Sequence, residues 1–361
     1  MRFLHMGDLH LDSPFASIAD PMKAAQRREE LNGCVQAVID YAKQREIGIV
    51  LIAGDFFDNE QPRIGLFRAV MEQMGRAGGI RFFIAPGNHD YYHSRSLYAL
   101  EPLPENVTVF GGEVEQVELE EGVVLYGRGF THAHEPQSLL HGFQAQTQQP
   151  SIFLVHGELG QAGDYGPIVK EEIANSGVTY LALGHIHQYS GIQREGATTW
   201  AYPGIPMGRG FDEMGQKGFI SGEIDQHGVR LAWVPLAGRE YREVQVDVSD
   251  FVMAEEIAKE IRMMLEREGS EHIYRVILTG TRPAPGVVDA ALLEKMVQQS
   301  AFHVEVQDAT QAAVQWDMVA KESSLRGIFV RRMQQRVRAA DSEEERELCR
   351  LAWQLGWDNL K

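Results

Sequence analysis

Arg81-Phe82-Phe83-Ile84-Ala85-Pro86-Gly87-Asn88-His89-Asp90 is an apolar run that breaks into four residues of a different kind. The run reads as a strand, and Gly87 tolerates backbone angles that a side chain forbids. Asn88 then offers a neutral oxygen ligand and His89 an imidazole, which Asp90 could orient from behind. Alone, Gly-Asn-His-Asp is also an ordinary turn composition. What raises it above a turn is repetition of its form, because four other apolar runs in this chain also end in His or Asp.

Two of these runs precede it. Residues 2–7 form a strand-like run followed by Asp8-Leu9-His10, and i, i+2 neighbours in extended chain point the same way, so Asp8 and His10 can converge on one ion. Residues 47–53 are continuously apolar, as in a strand buried on both faces, and end in Gly54-Asp55-Phe56-Phe57-Asp58. Helical periodicity separates the runs. It covers 23–45, with Leu31, Val35, Val38, Ile39 and Ala42 as the apolar stripe, and 64–77, closed by Gly78-Gly79. The second helix carries Leu66, Phe67, Val70, Met71 and Met74, a stripe that serves either the core or an interface.

Two more follow it. Residues 152–155 end in His156-Gly157-Glu158, and 180–183 end in Gly184-His185-Ile186-His187, which repeats the i, i+2 geometry. Between them and the opening stretch, 107–110, 114–119 and 123–126 read as antiparallel strands, and the glutamine-rich 135–150 as helix then loop. Further strands are expected at 198–201, 218–224 and 229–235. Beyond about residue 246, Ser249 or Asp250 can cap a helix ending near Gly269. A strand at 273–279, a loop at Pro283-Ala284-Pro285-Gly286, a helix at 289–300 and a strand at 303–306 complete a small unit. From 324 the chain is helical and charged, with Arg326, Arg331, Arg332, Arg336 and Arg338 followed by Glu343-Glu344-Glu345.

Composition limits what such a chain can be. Its 361 residues suffice for two domains, and 44% hydrophobic with 24% charged residues is ordinary for a soluble protein. No segment reads as a signal peptide, and no uncharged apolar stretch approaches the ~18–20 residues of a membrane span. Cys34 and Cys349 imply no disulfide framework, which suits a reducing cytoplasm. A formal charge of −17 argues against coating nucleic acid by bulk attraction, though not against an enzyme that draws phosphates through bound cations.

Asp8, His10, Asp55, Asn88, His156, His185 and His187 thus stand as seven candidate ligands, each at the end of an apolar run. Imidazole and carboxylate without cysteine suit manganese, iron or zinc better than magnesium or calcium. Seven ligands are too many for one ion and suit two that share a carboxylate. The other histidines, among them His5, lack this setting and read as ordinary loop, strand or surface residues.

Asp-x-His, Gly-Asp-x-x-Asp, Gly-Asn-His-Asp, a lone His after a strand and Gly-His-x-His, in that order, resemble the calcineurin-like metallophosphoesterases over residues 1 to about 240. The resemblance implies an α/β fold: a β-sandwich flanked by helices over 1–245, a small α+β DNA-capping domain over 246–310, and a helical tail over 311–361 that docks a partner. By motif, Asp8, His10, Asp55 and His187 resemble the ligands of one metal, and Asp55, Asn88, His156 and His185 those of a second. His89 resembles the catalytic histidine that protonates the leaving oxygen, with Asp90 as its support. Asn59-Glu60 after Asp58, Asp90 after His89, and the segments Tyr202-Pro203-Gly204-Ile205-Pro206, Phe211-Asp212-Glu213 and Gly215-Gln216-Lys217-Gly218 resemble the SbcD-type DNA-repair branch. The opening from His5 to Pro14 is similar to the YhaO-like group within it. That branch implies manganese-dependent hydrolysis of DNA, exonucleolytic with some single-strand endonuclease action. It also implies a homodimer and an SbcC-like (YhaN-like) ATPase gripped by the C-terminal helices. Two rival readings are a phosphoesterase for cyclic nucleotides or small phosphate esters, and a scaffold subunit of the ATPase with weak catalysis.

Overall fold

The computed structural model describes residues 1–282, 288–312 and 316–360. The expected loop at Pro283-Ala284-Pro285-Gly286 lies outside the described residues. The chain divides into two compact units, one comprising 1–244, 265–275 and 298–305, the other 245–264, 276–297 and 306–361.

Two six-stranded sheets build the first unit. One contains β1 (Arg2–Met6), β2 (Ile49–Ile52), β3 (Arg81–Ile84), β4 (Val107–Val109), β11 (Lys217–Asp225) and β12 (Gly228–Leu236), in the order β12-β11-β1-β2-β3-β4. The other contains β5 (Glu115–Glu118), β6 (Val124–Arg128), β7 (Ser151–His156), β8 (Tyr180–Gly184), β9 (Gln193–Glu195) and β10 (Thr198–Ala201), in the order β5-β6-β7-β8-β10-β9. Side chains alternate across each strand, and the alternation sorts them into layers. Phe3, Leu51 and Phe83 of the first sheet meet Leu125, Ile152, Leu154 and Tyr180 of the second in the central core. Their neighbours Leu4, Met6, Val50, Ile52, Phe82 and Ile84 face outward to α1 (Pro21–Gln44) and α2 (Ile64–Gly75). Val124, Tyr126, Phe153, Val155 and Leu181 face outward on the other side, where Ile173 of α4 (Lys170–Asn175) packs. A short α3 (Leu97–Leu100) lies between β3 and β4. Strands covered on both faces carry no polar alternation, which is why these runs read as continuously apolar.

Start signals explain the helices. Asp20 accepts hydrogen bonds from the N–H groups of Met22 and Lys23, and Pro21 opens α1. The stripe on α2 is core: Phe67, Val70, Met71 and Met74 are buried and Leu66 packs half-buried against them.

Three sequence expectations are corrected. Residues 135–150 form no helix. Pro136 and Gly142 interrupt the stretch, and turns deliver Leu139, Leu140 and Phe143 to the outer core of the second sheet. Strand β4 pairs parallel to β3, while β5 pairs with β6 in the other sheet, so the three are not one antiparallel run. The helix after 246, α5, spans Ala254–Glu268, and its start is supported by Glu256, which accepts from the N–H groups of Val252 and Met253. Ser249 instead bonds Asp247.

Three further strands, β13 (Tyr241–Asp247), β14 (Ile273–Thr279) and β16 (His303–Asp308), form a separate sheet in the order β13-β14-β16, and β15 (Thr281–Arg282) pairs with β17 (Gln311–Ala312). Helix α6 (Ala290–Val297) buries Leu293 and Val297. In the second unit, α7 (Trp316–Val319), α8 (Leu325–Ala339) and α9 (Glu343–Asp358) share a small core of Val319, Val330 and Trp357 with Trp316, Phe329 and Trp353. Ser324 and Ser342 cap α8 and α9.

Candidate metal centre

Parallel strands aim their C-terminal ends one way. Strands β1, β2 and β3 are mutually parallel in one sheet, as are β7 and β8 in the other. Asp8 and His10 follow β1, Asp55 follows β2, Asn88 and His89 follow β3, His156 ends β7, and His185 and His187 follow β8. All seven candidate ligands therefore leave strands at the same edge of the sandwich.

The backbone there is held in unusual conformations. Asp8, His10, Asp55 and His185 have φ of 54°, 48°, 45° and 114°. Such left-handed angles are costly for residues other than glycine and concentrate at functional sites. Close approach dictates the glycines. A Cβ on Gly87 would meet Asp55 Oδ1 at 2.3 Å, and one on Gly184 would meet the Ala53 carbonyl oxygen at 1.7 Å.

Tautomers follow from the partners behind each ring. His156 Nδ1 lies 3.0 Å from the Ala53 carbonyl, which can only accept, so Nδ1 carries the hydrogen and Nε2 a lone pair. That lone pair faces Asn88 Oδ1 at 3.0 Å, His185 Nδ1 at 3.2 Å and Asp55 Oδ2 at 3.6 Å. His187 Nδ1 is likewise taken by Glu213 Oε1 at 2.6 Å, and its Nε2 faces His10 Nε2 at 3.2 Å. Asp55 Oδ2 is also 3.8 Å from His10 Nε2, and so lies between the two histidine pairs. Asp8 accepts from the His185 N–H through both carboxylate oxygens at 3.0 Å, and its ligand atoms come within 4.8 Å of those of His10 and His187. Nitrogen and oxygen ligand atoms thus converge within 3.0–3.8 Å of one another, an arrangement suited to divalent cations.

Electrostatics agree. Burial, then the charge of Asp55, pushes the Asp8 carboxyl well above its ordinary range. Burial also opposes ionisation of Asp55, but His156, His10 and His89 outweigh it and hold that carboxyl low. Burial and His156 depress His185 to about 4, and burial keeps His10 well below its usual range. His10 and His185 are therefore available as neutral ligands.

His89 is exposed beside this cluster. Its backbone N–H donates to Asp55 Oδ1 at 2.9 Å, and its ring packs edge-on to His10 at 4.7 Å between centroids. Asp90 does not hold that ring. Its buried carboxylate accepts from the N–H groups of Phe56, Phe57 and Gly87 and from the Tyr98 hydroxyl, and so ties the loop after β2 to the loop after β3. The ring partner of His89 is the Asp58 carbonyl.

Sequence reading missed three side chains at the site. Asp58 lies 3.1 Å from His10 Nδ1, Glu213 backs His187, and Arg209 touches both carboxylates. Glu213 is buried, yet hydrogen bonds from His187 and Arg209 overcome that burial and hold its carboxyl at about 2. Asp58 and Glu213 stood inside motifs that had been noticed, but Arg209 carried no signal. His5, by contrast, is a satisfied core residue: its ring bonds the Tyr180 hydroxyl at 2.8 Å and the Leu183 carbonyl at 3.1 Å.

Comparison with known proteins gives a consistent result. Residues 1–189 match the family model of the calcineurin-like phosphoesterases. The chain is 29% identical over 328 residues to the uncharacterized metallophosphoesterase YhaO of Bacillus subtilis, covering 83% of this chain and 78% of that protein. It is 22% identical over 372 residues to the DNA double-strand break repair protein Mre11 of Methanopyrus kandleri, covering 94% and 78%. Identity to the Mre11 of Aeropyrum pernix is 26% over 226 residues, covering 56% and 53%.

Proposed function

The chain belongs to the calcineurin-like phosphoesterase family, and from that premise we propose that it hydrolyses phosphodiester bonds in DNA during repair or end processing. The observation that carries the reading is the convergence of Asp55 Oδ2, Asn88 Oδ1 and the Nε2 atoms of His10, His156 and His187 beside an exposed His89. Similarity to two DNA double-strand break repair proteins supports DNA as the substrate.

Asp8, His10, Asp55 and His187 would hold one cation, and Asp55, Asn88, His156 and His185 the other. Two such ions, when bound, supply Lewis-acid stabilisation of the phosphate and lower the pKa of an attacking water. Manganese fits the oxygen and imidazole set, with iron or zinc as alternatives. His89 would give a proton to the departing sugar oxygen from Nε2 of its doubly protonated ring, while the Asp58 carbonyl keeps the Nδ1 hydrogen and fixes the ring. Asp90 acts through the backbone, by holding the loops that carry Asp55 and His89.

The wider proposal places the protein in the cytoplasm as a homodimer with an SbcC-like ATPase. Among the described residues no helix is long and apolar enough to cross a membrane, and both cysteines are free. The α2 stripe gives the dimer no support, because it is buried in the chain's own core.

The test is purified protein with manganese on 5′- and 3′-labelled single- and double-stranded DNA, beside a cyclic dinucleotide and with His89→Ala as control. DNA cleavage that requires His89 supports the proposal. Hydrolysis of the cyclic dinucleotide alone would replace DNA with the small-ester reading.

A further inference from the structure

Arg209 lies between two carboxylates. Its Nη1 is 3.1 Å from Asp58 Oδ1 and its Nη2 is 2.9 Å from Glu213 Oε1, while its backbone N–H donates to Glu213 Oε2 at 2.7 Å. Each carboxylate stands behind a histidine of the cluster. Glu213 Oε1 takes the His187 Nδ1 hydrogen at 2.6 Å. His10 Nδ1, buried and with no hydrogen-bond partner among the described residues, lies 3.1 Å from Asp58 Oδ1. The front nitrogens of these two rings are the pair that face each other at 3.2 Å.

We propose that Arg209, Glu213 and Asp58 form a positioning clamp behind one of the two metal positions, the one on which Asp8, His10 and His187 converge, and that this clamp sets its affinity. The inference rests on the reading of the cluster as a metal centre. A carboxylate behind a ligating imidazole fixes its tautomer and raises its basicity. Two extra carboxylates would also overload a pocket that already holds Asp8 and Asp55, and the Arg209 guanidinium, in contact with both, offsets that charge. The second position is built differently. Behind His156 stands the Ala53 carbonyl, and no side chain of the clamp bonds His156 or Asn88. The clamp therefore acts on one ion and not on the other. None of its members is among the seven residues assigned to the two ions, and Asp58 has a ligand atom within 4.8 Å of those of His10 and His89.

The test is a calorimetric titration of the full chain with Mn²⁺ in the absence of substrate, for wild type, Glu213→Ala, Glu213→Gln, Arg209→Gln and the double variant Arg209→Gln/Glu213→Ala. Wild type binds in two steps. Glu213→Ala weakens one step by about 10–100-fold, the range for such supporting groups, and Glu213→Gln, which keeps an acceptor, weakens it less. Arg209→Gln weakens the same step, and the double variant falls short of the product of the two effects because the residues act as a unit. The untouched step reports that each variant folds. Two wild-type steps in Glu213→Ala, or equal weakening of both, would overturn the clamp. So would an Arg209→Gln protein that binds Mn²⁺ as wild type does and shows only a raised KM, since Arg209 would then be a phosphate ligand. A wild-type chain that binds no Mn²⁺ removes the metal centre itself, and the clamp with it.

Discussion

His89 Nδ1 lies 2.9 Å from the carbonyl oxygen of Asp58. A carbonyl only accepts, so the hydrogen sits on Nδ1 and Nε2 is left for a substrate. The partner is backbone, so the Asp58 side chain is free to work elsewhere, and it faces His10 and Arg209. One residue thus serves the His89 ring through its main chain and the candidate ligand cluster through its carboxylate.

Replacing His89 should separate chemistry from metal binding. His89→Ala is expected to lower turnover by roughly 10²–10⁴-fold, the usual worth of a positioned acid or base, with metal content unchanged. Kinetics on labelled DNA beside elemental analysis reads both. A His89→Ala protein that has lost its metal would make this residue a ligand.

Asp90 should prove structural. Asp90→Ala leaves buried N–H groups of Phe56, Phe57 and Gly87 without their acceptor, at about 1–3 kcal/mol for each group left unsatisfied. Denaturant unfolding should show a loss of at least ~3 kcal/mol, and Tyr98→Phe a loss of about 1 kcal/mol, since it removes a single bond. Unchanged stability with lost activity would return Asp90 to a direct role on the His89 ring.

The site was far more legible than its supports. Each ligand ended an apolar run, and a buried strand announces itself by that run whatever its neighbours in the sheet. Glu213 and Arg209 sit in an irregular loop, where no periodicity marks one polar residue above another, and their meaning depends on His187 and Asp58 arriving from other strands. The pairing of β4 with β3 was hidden for a similar reason, because parallel neighbours are joined by long connections and local alternation does not reveal them. The α2 stripe was ambiguous because core and interface stripes have the same spacing, and only Phe67, Val70, Met71 and Met74 in place against the sheet decide it.

Acid should act on His5. Burial pushes its imidazole down from 6.5 to about 3, despite the Leu183 carbonyl that favours the charged form. Between these values the unfolded chain binds a proton that the folded chain does not, so stability is flat above about pH 7 and falls as pH drops from 6.5 towards 3. The loss reaches on the order of 4 kcal/mol at the bottom of that window, at about 1.4 kcal/mol per pH unit. Unfolding curves of wild type and His5→Gln should diverge below pH 6 and run parallel above it. Identical acid profiles would show that His5 does not titrate in this way.

The tail divides into a core face and an open face. Trp353 and Trp357 pack with Trp316 inside the helical cluster, whereas Leu348, Leu351 and Leu355 of α9 are each more than half exposed. Leu351→Glu with Leu355→Glu should therefore leave the thermal midpoint unchanged, since exposed substitutions stay within about 0.5 kcal/mol. The same pair should abolish co-purification with an SbcC-like ATPase. Full-strength binding by the double variant would place the ATPase elsewhere on the chain.

Asp55 carries the central claim, because its Oδ2 lies between His10 Nε2 at 3.8 Å and His156 Nε2 at 3.6 Å. The direct measurement is metal content per chain, by elemental analysis, of wild type and Asp55→Ala after loading with manganese and exhaustive dialysis. Two ions in wild type and none in Asp55→Ala is the predicted result. An Asp55→Ala protein that still holds two ions would contradict the shared centre and the mechanism built on it.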